Sequence, residues 1–296
     1  MNEFRSGFVS FVGRPNVGKS TLTNALVGEK IAITSSKPQT TRRAIRGIVN
    51  TPAAQIIVVD TPGLHRPRTL LGQRLNDVVG NTLNSVDVIG FCVPANEKIG
   101  PGDAFINEQL SEYRRAKLIA LVTKSETVSR DALAKQLVEI SELRNWDAVI
   151  PVSAISGEQL DELKVILGEL LPKSQALYPE DMKTEESLEE RVCELIREAS
   201  LEDSREELPH SLAVTIDEMG PREDSNIYDI HANLWVERDS QKAIVIGKGG
   251  SRLKQIGSEA RVEIEKLLGT KVMLRIHVKV APDWQRDPKQ LGRLGM

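Results

Sequence analysis

Gly13-Arg14-Pro15-Asn16-Val17-Gly18-Lys19-Ser20 is a complete G-x-x-x-x-G-K-S phosphate loop, and it follows directly on the apolar run Phe8-Val9-Ser10-Phe11-Val12. The chemistry of the pattern is specific. Its glycines let the backbone curl so that several N–H groups converge on the α- and β-phosphates, at the positive end of the helix that starts there. Lys19 reaches the β- and γ-phosphates, and Ser20 offers its hydroxyl to Mg²⁺. Thr21 then opens a helical stretch over residues 21–27. A chance turn with two glycines and a lysine would not bring both the preceding strand and the following helix, so the stretch marks a nucleotide-binding α/β domain.

The rest of the composition sets bounds. With 296 residues the chain is long enough for two domains, each with its own core. Lys plus Arg number 39 against 42 Asp plus Glu, a net charge of −3 that points to no polyanionic partner by itself. The distribution says more: residues 180–210 carry 12 acidic and 4 basic side chains, residues 241–296 carry 12 basic and 5 acidic ones. The basic end is where a polyanion would dock. Cys92 and Cys193 read as small buried hydrophobes of a reducing compartment. His65, His210, His231 and His277 lack metal-ligand spacing. Neither a signal segment nor an 18-residue apolar run is visible.

From residue 7 to about 172, strand-like runs (7–12, 43–50, 54–60, 86–94, 116–122, 147–152) alternate with helical ones (19–27, 70–84, 102–113, 130–144, 158–171), the pattern of a mostly parallel sheet covered on both faces. Leu160, Leu163, Leu167 and Leu171 recur at helix spacing and should face that sheet. Pro172 closes the helix, and 174–184, with Pro179, reads as a linker. Beyond it come a helix near 185–200, strands over 212–216 and 227–236 separated by Gly220-Pro221 and polar residues, a short helix or strand at 243–246, a glycine loop, a helix over 251–268 and a strand over 271–280.

Further motifs narrow the ligand. Asp60-Thr61-Pro62-Gly63 ends an apolar strand, where a carboxylate can hold a Mg²⁺-bound water and the Gly63 N–H can approach a γ-phosphate. Lys37-Pro38-Gln39-Thr40-Thr41-Arg42 forms a polar loop upstream. Together these resemble the translation-factor-like GTPases, and specifically the Era family of ribosome-assembly GTPases. That resemblance implies GTP or GDP with Mg²⁺ as ligand. It makes Ser20, Asp60 and Thr41 the metal shell, with Thr40 the alternative if the register slips by one. Residues 33–42 and 61–70 become switch loops that the γ-phosphate orders.

Two departures from the family pattern stand out. Where such GTPases carry Asn-Lys-x-Asp, this chain has Thr123-Lys124-Ser125-Glu126. Glu126 keeps a carboxylate for guanine N1–H and N2–H, Lys124 lays its stem along the base, and Thr123 cannot make every contact of an asparagine amide. Ser153-Ala154-Ile155-Ser156-Gly157 resembles the family's fifth motif, with a backbone N–H near Ala154 meeting guanine O6. Second, the residue after the Asp-x-x-Gly motif is Leu64, whose apolar side chain cannot orient the attacking water. Asn16 is either a K⁺ ligand beside the phosphates, as in related GTPases, or a loop-capping residue. Lys19, Thr41, Gly63 and Asn16 are the expected catalytic set, and slow turnover is expected.

Ile246-Gly247-Lys248-Gly249-Gly250, followed by Ser251-Arg252-Leu253-Lys254, matches the GxxG loop of KH domains, in an element order resembling the prokaryotic type. Small residues let a nucleic-acid backbone pass close, and Lys248, Arg252, Lys254 and Arg261 are the expected phosphate contacts. Bases would lie against Ile244, Ile246 and Leu253. Trp235 and Trp284 are core or stacking candidates.

The expected architecture is an α/β P-loop GTPase domain with a mixed, mostly parallel sheet (1–173), a linker (174–184), and a smaller α+β KH domain with a C-terminal tail (185–296). The resemblance implies a monomeric, cytoplasmic GTPase that binds small-subunit ribosomal RNA near its 3′ end and acts in 30S assembly, with no DNA partner. Some family members also touch the inner face of the membrane. Two other readings remain: a non-hydrolysing RNA-binding module with an altered pocket, and a GTPase of the two-GTPase-domain type acting elsewhere, against which the single phosphate loop and intact GxxG argue.

Overall fold

The computed structural model describes residues 3–35, 37, 40–63, 69–201, 211–223 and 225–294. By compactness these form two units. The first runs to Glu185, apart from two short segments within 35–40 and 67–71 that group with the second unit, Glu186 onward.

In the first unit, strands β1 (Arg5–Val12), β2 (Ile45–Asn50), β3 (Ala54–Asp60), β4 (Val88–Pro94), β5 (Lys117–Thr123) and β6 (Ala148–Pro151) form one sheet in the order β2-β3-β1-β4-β5-β6. All neighbours are parallel except the β2–β3 pair, which is antiparallel. The strands read as near-continuous apolar runs because both faces are covered. Helices α1 (Lys19–Val27) and α5 (Leu160–Leu170) pack on one face, where Val9, Phe11, Ile56 and Val58 meet Leu22, Leu26, Leu163 and Leu167. On the other, α2 (Leu70–Ser85), α3 (Pro101–Gln109) and α4 (Arg130–Glu142) cover Ile89, Phe91 and Val122 with Val79, Leu83, Ile106 and Ile140. Helix α3 stops at Gln109 and a 3₁₀ turn takes over through Glu112, short of the 102–113 expected from periodicity.

The stretch read as a linker is tied down along the strands of this unit. Gln55, 0% exposed, accepts from the N–H groups of Leu177 and Tyr178 at 2.7 and 2.9 Å and donates to the Tyr178 carbonyl at 2.8 Å. Asn50 donates to the Glu180 carbonyl at 2.8 Å, and the Ile48 N–H to that of Lys183 at 2.9 Å. The topology brings the C-terminal ends of β1, β3 and β5 to one edge of the unit, with the phosphate loop after β1.

The second unit is α6 (Leu188–Leu201), β7 (Ala213–Pro221), β8 (Ile227–Val236), α7 (Asp239–Ile246), α8 (Ser251–Leu268), β9 (Lys271–Val280) and a terminal α9 (Pro288–Arg293). The sheet order is β7-β8-β9, antiparallel then parallel. Strand β7 continues through Gly220-Pro221, where a turn was expected. A bulge between Ile216 and Glu218 resets the register, and Pro221 is tolerated because β7 is an edge strand. The ambiguous run 243–246 is helical. Both tryptophans are buried. Trp284, 0% exposed, donates Nε1–H to the Ser211 carbonyl at 3.1 Å, and Trp235, 8% exposed, donates to Thr215 Oγ1 at 2.9 Å, so neither ring is presented to a base.

Candidate functional site

The phosphate loop leaves β1 at Gly13, where an added Cβ would lie 2.5 Å from the Cys92 carbonyl oxygen of β4; only glycine fits so close a backbone approach. Helix α1 begins after Gly18 with no side-chain cap, so its first N–H groups are left for a ligand. Lys19 is buried, and Nζ donates to the carbonyls of Gly13 and Arg14 at 3.0 and 2.9 Å. Burial lowers its pKa, against the opposing pull of Cys92 and Asp60. Exposed Asn16 adopts a left-handed φ of 64° on the outer turn, a conformation asparagine accepts readily.

A cluster of oxygens stands beside Lys19. Ser20 Oγ donates to Asp60 Oδ2 at 2.7 Å, Thr41 Oγ1 donates to the same oxygen at 3.1 Å, and the two hydroxyls are 3.1 Å apart. Thr40 instead donates to the Lys37 carbonyl at 2.7 Å. Asp60 is 0% exposed, and its Oδ1 is buried with no hydrogen-bond partner among the described residues. Burial raises the Asp60 pKa, while Ser20, Lys19 and Thr41 oppose the rise. A buried carboxylate oxygen without a donor, beside two hydroxyls, fits a hard divalent cation such as Mg²⁺. Thr61 and Pro62 are buried, and a Cβ on Gly63 would come 3.6 Å from Lys19 Nζ, which puts this backbone beside the ammonium. Leu64 lies outside the described residues, as do Pro38, Gln39, His65 and His210.

The base-recognition motifs converge on the same end of the sheet. Thr123 Oγ1 donates to the Val17 carbonyl at 2.6 Å, so the residue standing in place of asparagine ties β5 to the phosphate loop. Ser125 donates to Glu158 Oε2 at 3.0 Å, and its N–H bonds the Val152 carbonyl at 3.3 Å. Ser153 Oγ accepts from the Ser156 N–H at 2.9 Å, shaping the turn that carries Ala154. Lys124 sits at φ 56°, and Glu126 is exposed.

In the second unit, Gly247 takes φ 72°, and a Cβ there would lie 2.8 Å from Arg252 Cβ. Lys248 and Gly249 are exposed, Gly250 caps α8 without a side-chain bond, and Ile244 is 51% exposed beside them. Arg252 and Lys254 lie in the first turn of α8, close to the loop. Arg261 does not: eleven residues beyond Gly250, it is about 16 Å further along the helix. Residues that sequence reasoning missed include Glu158, the acceptor for Ser125, and Asp103, which grips Arg14; single carboxylates on separate elements carry no motif.

A phosphate loop with an oxygen shell on a doubly wound sheet, followed by an α-β-β-α-α-β module with a GxxG loop, defines a P-loop GTPase joined to a KH domain. Residues 8–125 match the family model described as a 50S ribosome-binding GTPase, and residues 207–285 match that of the KH domain. The chain is 63% identical to GTPase Era of Mycobacterium sp. (strain KMS) over 100% of both chains, and 58% identical to that of Streptomyces coelicolor over 98% and 95%. The chain belongs to the Era GTPase family, and it is a GTPase. It is also similar to solved structures over 99% of each chain, at a TM-score of 0.93 and 38% identity: Era in complex with MgGDPNP and nucleotides 1506–1542 of 16S ribosomal RNA, and an Aquifex aeolicus Era variant bound to GDP·AlF4⁻.

Proposed function

We propose that this GTPase binds the 3′ region of small-subunit ribosomal RNA through its GxxG face, in a cycle governed by bound GTP, and acts in 30S assembly. The observation that carries the reading is the GxxG loop itself, open and cationic, in a chain similar from end to end to an Era structure that holds 16S RNA and MgGDPNP together. The domains are read as 1–173, 174–184 and 185–296. The protein is read as a cytoplasmic monomer. Among the described residues no helix is long and apolar enough to cross a membrane.

At the nucleotide, Gly13 to Thr21 enclose the phosphates, Ser20, Thr41 and Asp60 hold Mg²⁺, and Thr61, Pro62, Gly63 and Leu64 follow the γ-phosphate. When bound, Mg²⁺ supplies positive charge to the β- and γ-oxygens. Lys19 neutralises charge that builds on those oxygens as the γ-phosphoryl leaves, and the Gly63 N–H donates to one of them. Lys124, Ser125, Glu126, Ser153 and Ala154 hold guanine, with Thr123 bracing the loop from below. Asn16 is assigned to K⁺. Equal turnover in Na⁺ and K⁺ buffers would remove that assignment.

At the RNA, Gly247, Gly249 and Gly250 admit the backbone while Lys248, Arg252 and Lys254 meet phosphates. Arg261, further along α8, serves a longer strand. The reading is tested by binding a single-stranded oligonucleotide of the small-subunit RNA 3′ end to the native chain and to Gly249→Asp. Specific binding that this variant loses is expected; equal binding by both would refute it.

A further inference from the structure

Arg14 occupies the second position of the phosphate loop, yet its guanidinium is engaged by helix α3. Nε donates to Asp103 Oδ1 at 2.8 Å, and Nη2 lies 3.0 Å from Glu97 Oε2. Asp103 is 0% exposed, 89 residues away in sequence. Its other oxygen, Oδ2, accepts the Gly100 N–H at 2.9 Å and so caps α3. Gly102 leaves room for the contact, since a Cβ there would meet Arg14 Cδ at 3.0 Å. The carbonyl of the same Arg14 accepts from Lys19 Nζ at 2.9 Å. A single residue therefore connects a fully buried carboxylate to the backbone that holds the phosphate-binding ammonium.

We propose that Asp103 is a positioning residue for nucleotide binding: by gripping Arg14 it fixes the backbone of the phosphate loop and with it the place of Lys19. Helix capping alone does not require a buried charge, because exposed aspartates cap helices equally well. Burying a carboxylate is costly unless a cation meets it, and here the cation is supplied by the functional loop. Glu97, whose side chain is 47% exposed, is a minor partner screened by solvent. The arrangement makes the β4–α3 connection part of the nucleotide site without touching the nucleotide.

The test uses the full chain, with mant-GDP dissociation and steady-state GTP hydrolysis measured on Asp103→Asn and Arg14→Lys. Asparagine keeps the size but turns an amide donor toward either Arg14 Nε or the Gly100 N–H. Lysine keeps the charge but loses the two-pronged geometry. Losing one charged, buried hydrogen bond corresponds to about tenfold faster mant-GDP release from Asp103→Asn, with about threefold for Arg14→Lys. KM for GTP should rise in step while kcat changes less than about twofold. Should Asp103→Asn not fold, Arg14→Lys still reads the grip. Dissociation within about twofold of native in both variants, whatever the change in melting temperature, would overturn the proposal and leave Asp103 a helix cap. So would a fall in kcat with KM unchanged.

Discussion

The chain carries two glycine loops, each leading into a helix with no side-chain cap, and they are built in opposite ways. The phosphate loop is braced at four residues: Gly13 lies against the Cys92 carbonyl, Val17 is held by the Thr123 hydroxyl, Arg14 by Asp103, and buried Lys19 by two carbonyls. At the GxxG loop Gly247 packs against Arg252, but among the described residues no atom lies within 4 Å of a Cβ added at Gly249 or Gly250, and Lys248 stands in solvent. The difference follows from the ligands. A nucleotide is small and highly charged, so its site repays rigidity with preorganised donors and a desolvated lysine. A single strand is long and its backbone must slide into register, so its site needs clearance and solvated cations.

Breaking the braced loop should have the largest effect. Lys19→Ala should reduce GTP turnover by about 10²-fold or more in a phosphate-release assay, while RNA binding in the absence of nucleotide is kept. Gly13→Ala places a methyl against β4 backbone, and overpacking of about 1–3 kcal/mol should appear in chemical denaturation. Thr123→Val deletes the bond to the Val17 carbonyl and should weaken GDP binding by about 1 kcal/mol in calorimetry. The open loop should respond differently. Lys248→Ala should weaken RNA binding, lower the slope of log affinity against log salt by about 1, and leave intrinsic turnover as it is.

An effect confined to alkaline pH concerns Cys92, whose thiol pKa burial pushes up to about 12. The native thiol stays protonated while the unfolded one ionises, so the native state is stabilised fully below pH 9 and loses stability as pH rises above it. The expected slope is about 1.4 kcal/mol per pH unit, absent in Cys92→Ala. Iodoacetamide at pH 8 should leave Cys92 unmodified until the protein unfolds.

Periodicity located the strands of both sheets and helices α1 to α6 and α8, because apolar runs covered on two faces, and amphipathic stripes such as Leu163, Leu167 and Leu171, announce themselves; α7 read as helix or strand, and α9 fell in what read as a tail. The nucleotide motifs were legible for a related reason: their residues are contiguous and their backbone does the binding. Contacts between distant single residues were not. Nothing local marks Asp103 as the partner of Arg14, or Thr123 as a brace for Val17. Residues 174–184 looked like a linker because backbone hydrogen bonds and Gln55, not apolar side chains, hold them in place. Trp284 sat in a polar tail, and its burial depends on packing no sequence window contains. Arg261 shares the basic character of α8 but stands about three turns beyond the glycine loop, a distance that charge alone does not reveal.

We propose that the two loops serve one cycle. It is tested most directly by GTP turnover of the full chain with and without a single-stranded oligonucleotide of the small-subunit RNA 3′ end. The oligonucleotide should change turnover in the native chain and have no effect on Gly249→Asp. An oligonucleotide that binds the native chain yet leaves its turnover unchanged would contradict it.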